Sequence, residues 1–323
     1  MNSRGNKVIV QEVGLRDGLQ SLSQIMATDD KKRWIDAAYA AGVRHIEAAS
    51  FVPSCLLPQM ADAHEVITHA LSYPDLTVTA LVPNLKGAQR ALEAGVHRIV
   101  APVSVSAAHS QANVRKSPQE MVEELHRIRL LTDEAPVKPI LIAGLSTAFG
   151  CTLQGQVPVD EVVQVSRLVL QAGCDLLALG DTTGHATPGQ ADDVLRAVRQ
   201  VAGDKLAIAH FHDTRGLGLA NTLIALEHGI REFDATLGGI GGCPHAPGAS
   251  GNIATEDLIF MLDSLHYHSG IDLIQLLAMR ELLQQSLPGV QLYGSLACAG
   301  VPQGYATPHP LKRRAINSAE IVR

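Results

Sequence analysis

Short apolar runs rich in β-branched residues alternate along this chain with longer stretches whose apolar positions recur at helical spacing. The short runs, residues 8–14, 45–51, 76–82, 98–106, 138–147, 175–182, 206–213 and 231–240, read as eight strands. The stretches between them read as helices. One begins at the charged cluster Asp29-Asp30-Lys31-Lys32-Arg33 and spans 29–41. Another spans 160–172 and stops at Gly173, where a glycine can end a helix in the left-handed conformation. The helix-to-strand junctions also resemble one another: Ala41-Gly-Val-Arg-His45, Ala94-Gly-Val-His-Arg98, Ala172-Gly-Cys-Asp175 and His228-Gly-Ile-Arg231.

Regular alternation of strand and helix predicts a parallel sheet, and eight units in series predict closure into a (β/α)8 TIM barrel; an open doubly wound sheet is the alternative. The pattern assigns 1–287 to a barrel catalytic domain. Residues 288–323, with several prolines and glycines and no clear period, read as an irregular C-terminal extension, packed on the barrel or partly disordered.

Composition agrees with one large α/β unit. The 323 residues are 46% hydrophobic and 18% charged, too apolar for a disordered chain and long enough for a barrel of roughly 250 residues with additions. No stretch approaches the ~18 consecutive apolar residues of a membrane span, and residues 1–7 lack the apolar core of a targeting segment. The expectation is a soluble, cytoplasmic protein that does not bind membranes. A net charge of −6, with one short basic run at Lys312-Arg313-Arg314, argues against nucleic acid as a partner. The five cysteines, at 55, 151, 174, 243 and 298, form neither a metal-binding C-x-x-C pair nor a disulfide framework. Reduced thiols are expected.

A barrel carries its chemistry at the C-terminal ends of its strands. Ionisable residues fall there: Arg16-Asp17-Gly18 after the first run, Glu47 in the second, Asp181-Thr182 ending the sixth and His210-Phe-His212-Asp213 ending the seventh. His210 and His212, two apart on an extended segment, point to the same side and can ligate one ion. Asp17 is the natural carboxylate partner, because the first strand must close the barrel beside the eighth. Imidazole, carboxylate and an amide oxygen suit a divalent cation: Mg²⁺ or Mn²⁺ first, Co²⁺ or Zn²⁺ as alternatives.

After the eighth run comes Leu237-Gly-Gly-Ile-Gly-Gly-Cys-Pro-His-Ala-Pro-Gly-Ala-Ser-Gly-Asn252, a loop whose glycines allow close approach to a ligand. Cys243 in this setting reads as a general acid or base, or as a nucleophile. Asn252 offers an amide oxygen to the cation.

Together these residues identify a likeness. Glu12-Val-Gly-Leu-Arg-Asp-Gly-Leu-Gln20, Ile46-Glu-Ala-Ala-Ser-Phe-Val52, Gly180-Asp-Thr182, His210-Phe-His-Asp-Thr214 and the cysteine-containing glycine loop resemble the 3-hydroxy-3-methylglutaryl-CoA lyases, metal-dependent TIM-barrel enzymes. The resemblance implies that Asp17, His210, His212 and Asn252 bind the cation. It implies that Arg16 meets the thioester oxygen, that Cys243 transfers a proton, and that Glu47 and Asp181 support the site, with Asp181 or His210 as the base. Substrate contacts from Gln20, Ser50 and Thr182, an acyl-CoA substrate and a homodimer follow in the same way.

The chain departs from the family pattern at Ser21-Leu22-Ser23, where the lyases usually carry Asn-Glu-Lys, at His245 and at Thr152. Loss of that lysine makes a related substrate, such as citramalyl-CoA, the alternative. A synthase resembling the isopropylmalate synthases, or a silent CoA-binding protein, stands further off. Asn84, Lys86, Arg115 and Lys116 are weaker candidates for the phosphates of CoA.

Overall fold

The computed structural model describes residues 6–241 and 251–305. Among them, eight parallel strands close on themselves in sequence order: β1 (Ile9–Glu12), β2 (His45–Ser50), β3 (Thr77–Leu81), β4 (Arg98–Ser104), β5 (Ile140–Ser146), β6 (Leu176–Gly180), β7 (Leu206–His210) and β8 (Glu232–Ala235). The protein is therefore a TIM barrel, as the alternation predicts. The strands are shorter than the apolar runs because the chain turns into loops at their C-terminal ends. After β8 it bends at Leu237–Gly239, where Gly238 has a positive φ of 69°.

The helices ride outside: α1 (Thr28–Ala40), α2 (Ala63–Ala70), α3 (Leu85–Glu93), α4 (Ala107–Val114), α5 (Pro118–Asp133), α6 (Val159–Gln171), α7 (Pro188–Ala202) and α8 (Gly218–Glu227). Two more, α9 (Thr255–Ser264) and α10 (Leu273–Ser286), follow β8, and α10 packs against α1 to complete the ring. The recurrent junctions have a common physical basis. Gly42, Gly95, Gly173 and Gly229 all have φ between 79° and 99°, a conformation that ends a helix and turns the chain inward.

Two apolar clusters hold the barrel. The larger fills the space between strands and helices, around Trp34, Ile67, Leu125, Val194 and Leu262. The smaller lies inside: Ile142, Ala178 and Ile208, flanked by Val100 and Leu176, all from β4 to β7. Polar groups also occupy the interior. Arg98 on β4 crosses the bore to Glu232 on β8, the strand opposite in the closed order (Nη1–Oε1 2.5 Å). Above it, Gln11, Thr79 and Asp234 from β1, β3 and β8 are joined by hydrogen bonds.

Residues 288–305 lie against the β8 side, with one short helix, α11 (Ser295–Ala299). The Tyr293 amide donates to Gly238 O (2.7 Å), Gln24 Nε2 donates to Pro288 O (2.9 Å), and Arg280 holds both Glu256 and the Tyr293 carbonyl.

The buried Arg98–Glu232 pair generates a stability prediction. Arg98→Met strands a buried carboxylate and should lower unfolding free energy by about 3–5 kcal/mol, whereas the double change with Glu232→Met restores most of it. Urea denaturation of the three proteins measures this; an additive double mutant would show that the two groups do not interact.

Candidate active site

The site begins where β1 ends. A wide turn over Gly14–Gly18 is gathered on one carbonyl: Val13 O accepts the amides of Arg16 (3.1 Å), Asp17 (2.7 Å) and Gly18 (3.3 Å). A helical turn of this π type recurs at functional sites, and here it presents Arg16 and Asp17 in succession to the mouth of the barrel. Across from them the chain stays extended beyond β7. Residue 212 pairs not with a neighbouring strand but with Asn252, in an antiparallel bridge, and the Asp213 amide donates to Gly251 O (2.8 Å).

Four side chains from three separate segments thereby converge. His210 Nε2 and His212 Nε2 lie 3.1 Å apart, and Asp17 Oδ2 is 3.8 and 3.9 Å from them. Asn252 Nδ2 donates to Asp17 Oδ2 (2.6 Å) and to Ile240 O (3.2 Å), while its Oδ1 is buried with no hydrogen-bond partner among the described residues. Gly241 is required here. With φ 101° it passes so close to this amide that a Cβ would lie 2.6 Å from Asn252 Nδ2.

Electrostatics prepares these groups as ligands. Burial opposes ionisation of Asp17, but Arg16 and the two imidazoles outweigh it and hold the carboxyl well below the usual range. Burial and the neighbouring His210 lower His212 to about 4, so it presents a neutral ring. An anionic oxygen, two imidazole nitrogens and a bare amide oxygen fit a divalent cation, and the first three lie within 4.8 Å of one another.

Arg16 is clamped beside this cluster, with Nη2 2.7 Å from Glu47 Oε2 and Nη1 on Asp17. Burial works against its charge, but Glu47 and Asp17 raise its pKa above the ordinary value, so the guanidinium stays charged. Asp181, at the end of β6, accepts the amides of His185 (2.8 Å) and Ala186 (3.1 Å) on Oδ1 and leaves Oδ2 buried without a partner. Burial pushes its pKa up to about 7.

The remaining expectations are mixed. Ser50 is fully buried, its hydroxyl accepting the Val52 amide (3.3 Å), and Thr182 Oγ1 accepts the Thr147 amide (2.9 Å). Gln20 is exposed beyond the turn. Cys243 and His245 lie outside the described residues, as do Lys312, Arg313 and Arg314. Asn84 caps α3 through the Gly87 amide (2.9 Å) and Lys116 pairs with Glu124 (3.1 Å), so both serve the fold.

One carboxylate, Asp234, escapes a motif-based reading, and the contacts of another, Glu12, are not evident from the motif that contains it. Asp234, on β8, meets His210 Nδ1 at 3.1 Å. Glu12 accepts the Gly14 (2.9 Å) and Leu237 (3.0 Å) amides and the Thr255 hydroxyl (2.7 Å), tying the turn to the loop after β8. The signal for both is a carboxylate inside a buried strand.

Fold and donors define a TIM-barrel protein with a candidate two-histidine, one-carboxylate cation site at its mouth. A family model described as HMGL-like matches residues 7–283, and the chain belongs to that family. It is 38% identical over 283 residues to a hydroxymethylglutaryl-CoA lyase of Bacillus subtilis, covering 87% of this chain and 93% of the relative. It is 40% identical over 269 residues to a 3-hydroxy-3-isohexenylglutaryl-CoA/hydroxymethylglutaryl-CoA lyase of Pseudomonas aeruginosa, covering 83% and 88%. Among solved structures, an HMG-CoA lyase from Acinetobacter baumannii in complex with coenzyme A and 3-methylmalate superimposes with a TM-score of 0.87 at 37% identity, covering 96% of this chain and all of that one.

Asp181 supplies a pH test. With its pKa near 7 against an ordinary 3.8, the folded chain keeps a proton that the unfolded chain releases between those values. The stability it contributes is therefore greatest at low pH and is lost as pH rises through about 7. The stability difference between wild type and Asp181→Asn, followed by urea denaturation of metal-stripped protein, should shrink from pH 4.5 to 8. A difference independent of pH would mean that Asp181 titrates normally.

Proposed function

We propose that this protein cleaves 3-hydroxy-3-methylglutaryl-CoA to acetyl-CoA and acetoacetate. The observation that carries this reading is the convergence of Asp17, His210, His212 and Asn252 beside a guanidinium clamped by Glu47. The family membership and the hydroxymethylglutaryl-CoA lyases among its relatives support it.

The reaction removes the proton of the 3-hydroxyl group, breaks the C2–C3 bond and leaves its electron pair on the acetyl-CoA enolate, which is then protonated at carbon. A divalent cation held by Asp17, His210, His212 and Asn252 supplies Lewis acidity toward the substrate's oxygens when bound. Arg16 receives the negative charge that develops on the thioester oxygen; already fixed by Glu47 and Asp17, it needs no reorganisation as that charge forms. Asp181 takes the hydroxyl proton. Its unpartnered Oδ2 and its pKa of about 7 suit a general base near neutral pH. Cys243 then delivers a proton to the enolate carbon, and Gln20, Ser50 and Thr182 contact substrate. The reading also carries a cytoplasmic homodimer, with residues 1–287 as the catalytic domain. No helix among the described residues is long and apolar enough to cross a membrane.

A second substrate is favoured by one observation: residues 20–26, which follow the Arg16–Asp17 turn, contain no cation to hold a distal carboxylate. Citramalyl-CoA, giving acetyl-CoA and pyruvate by the same bond changes, has a shorter acyl chain. Acetyl-CoA release from both thioesters decides between them. EDTA should abolish it and Mn²⁺ restore it; release from neither substrate would refute the lyase reading. Arg16→Gln should lower kcat by about 10²–10³-fold, the scale for loss of a donor to developing oxyanion charge. Cys243→Ser turning over at the wild-type rate would remove the thiol from proton transfer.

A further inference from the structure

The two histidines at the mouth are held differently. His212 Nδ1 is buried with no hydrogen-bond partner among the described residues. His210 Nδ1 lies 3.1 Å from Asp234 Oδ2, and that contact is the first link of a chain through the barrel interior. Asp234 Oδ1 accepts from Gln11 Nε2 at 3.0 Å, and Gln11 Oε1 accepts from Thr79 Oγ1 at 2.8 Å. Gln11 and Thr79 are 2% and 0% exposed, so these bonds are shielded from bulk solvent. The links come from β7, β8, β1 and β3, so the chain runs across the bore rather than along one strand.

Its polarity is set by chemistry. A carboxylate only accepts, so the ring nitrogen facing Asp234 must carry the hydrogen. In the neutral ring, the form that can bind a cation, the other nitrogen, Nε2, is then left as a lone pair on the side of Asp17 and His212. Gln11 occupies the second oxygen of Asp234, which keeps the carboxylate from rotating away.

We propose that Asp234 is a positioning residue for the cation site: through Gln11 and Thr79 it fixes the ring orientation and tautomer of His210. The proposal rests on the cation reading above but not on any substrate. His212, lacking such a partner, is oriented by the backbone pairing of its segment with Asn252. The chain thus divides the labour between a side-chain relay for one imidazole and a main-chain bridge for the other.

The test compares wild type, Asp234→Asn and Gln11→Leu, all as full-length protein. Mn²⁺ affinity is measured by electron paramagnetic resonance, and the His210 tautomer by ¹⁵N chemical shifts in metal-free protein. Asp234→Asn should weaken Mn²⁺ binding by about 10–100-fold, the usual effect of removing a ligand's supporting partner, and Gln11→Leu by less. In both variants the His210 signals should move from a single Nδ1–H form toward a mixture, a change that a general loss of packing would not select. Unchanged affinity with an unchanged tautomer in Asp234→Asn overturns the proposal. If that variant does not fold, the same null result in Gln11→Leu overturns it. Wild type that binds no Mn²⁺ refutes the cation reading instead, and the tautomer measurement still decides the role of Asp234.

Discussion

Closure of the barrel, β1 against β8, is the constraint on which the site depends. The pairing of Ile9 through Glu12 with Glu232 through Ala235 sets the first strand beside the last. From that contact the rest follows. The turn that carries Arg16 and Asp17 emerges next to the glycine-rich segment after β8, and the return of that segment at Asn252 emerges next to the end of β7. Residues more than two hundred positions apart, such as Asp17 and Asn252, become neighbours without any long-range motif. Glu12 reinforces the seam, since its carboxylate bonds both to Gly14 on one side and to Leu237 and Thr255 on the other.

The charges at the mouth are arranged in opposition. Arg16 lies between Glu47 and Asp17, and Asp17 also faces two imidazoles. Each group is buried enough that its charge would be costly alone, and each is held in its useful state by the next. Asp181 stands apart. Among the described residues only backbone amides hydrogen-bond its carboxyl group, on one oxygen, and burial dominates its titration over the charges of His210 and Arg215. One site thereby holds one carboxyl group whose pKa is held well below the usual range and another raised to about 7.

The fold is legible in the sequence because parallel strands buried on both faces leave continuous apolar runs, and because the four junction glycines mark helix ends at regular intervals. The candidate ligand histidines are legible because an i, i+2 pair on an extended segment needs no knowledge of the rest of the chain. Asp234 and Gln11 are harder. Each is one polar residue in a short strand, and its role depends on which residue lies opposite in a neighbouring strand, a register that a single sequence does not contain. Asn252 was legible as a ligand candidate, but its amide contact with Asp17 depends on the His212 bridge and on the room left by Gly241. The strand ends are overread for a related reason: apolar or extended residues such as Phe211 continue past the last ladder bond.

The interior of the barrel is unevenly made. Its β4 to β7 side is an aliphatic plug, whereas the β8, β1 and β3 side is a set of mutually dependent polar groups. Aliphatic positions accept exchange of one hydrocarbon for another at modest cost, because only volume must be preserved. Polar partners do not, because changing either one leaves the other buried and unsatisfied. The two halves of the bore are accordingly constrained in different ways. On the aliphatic half one position can change by itself, and on the polar half a change leaves no group stranded only when its partner changes with it.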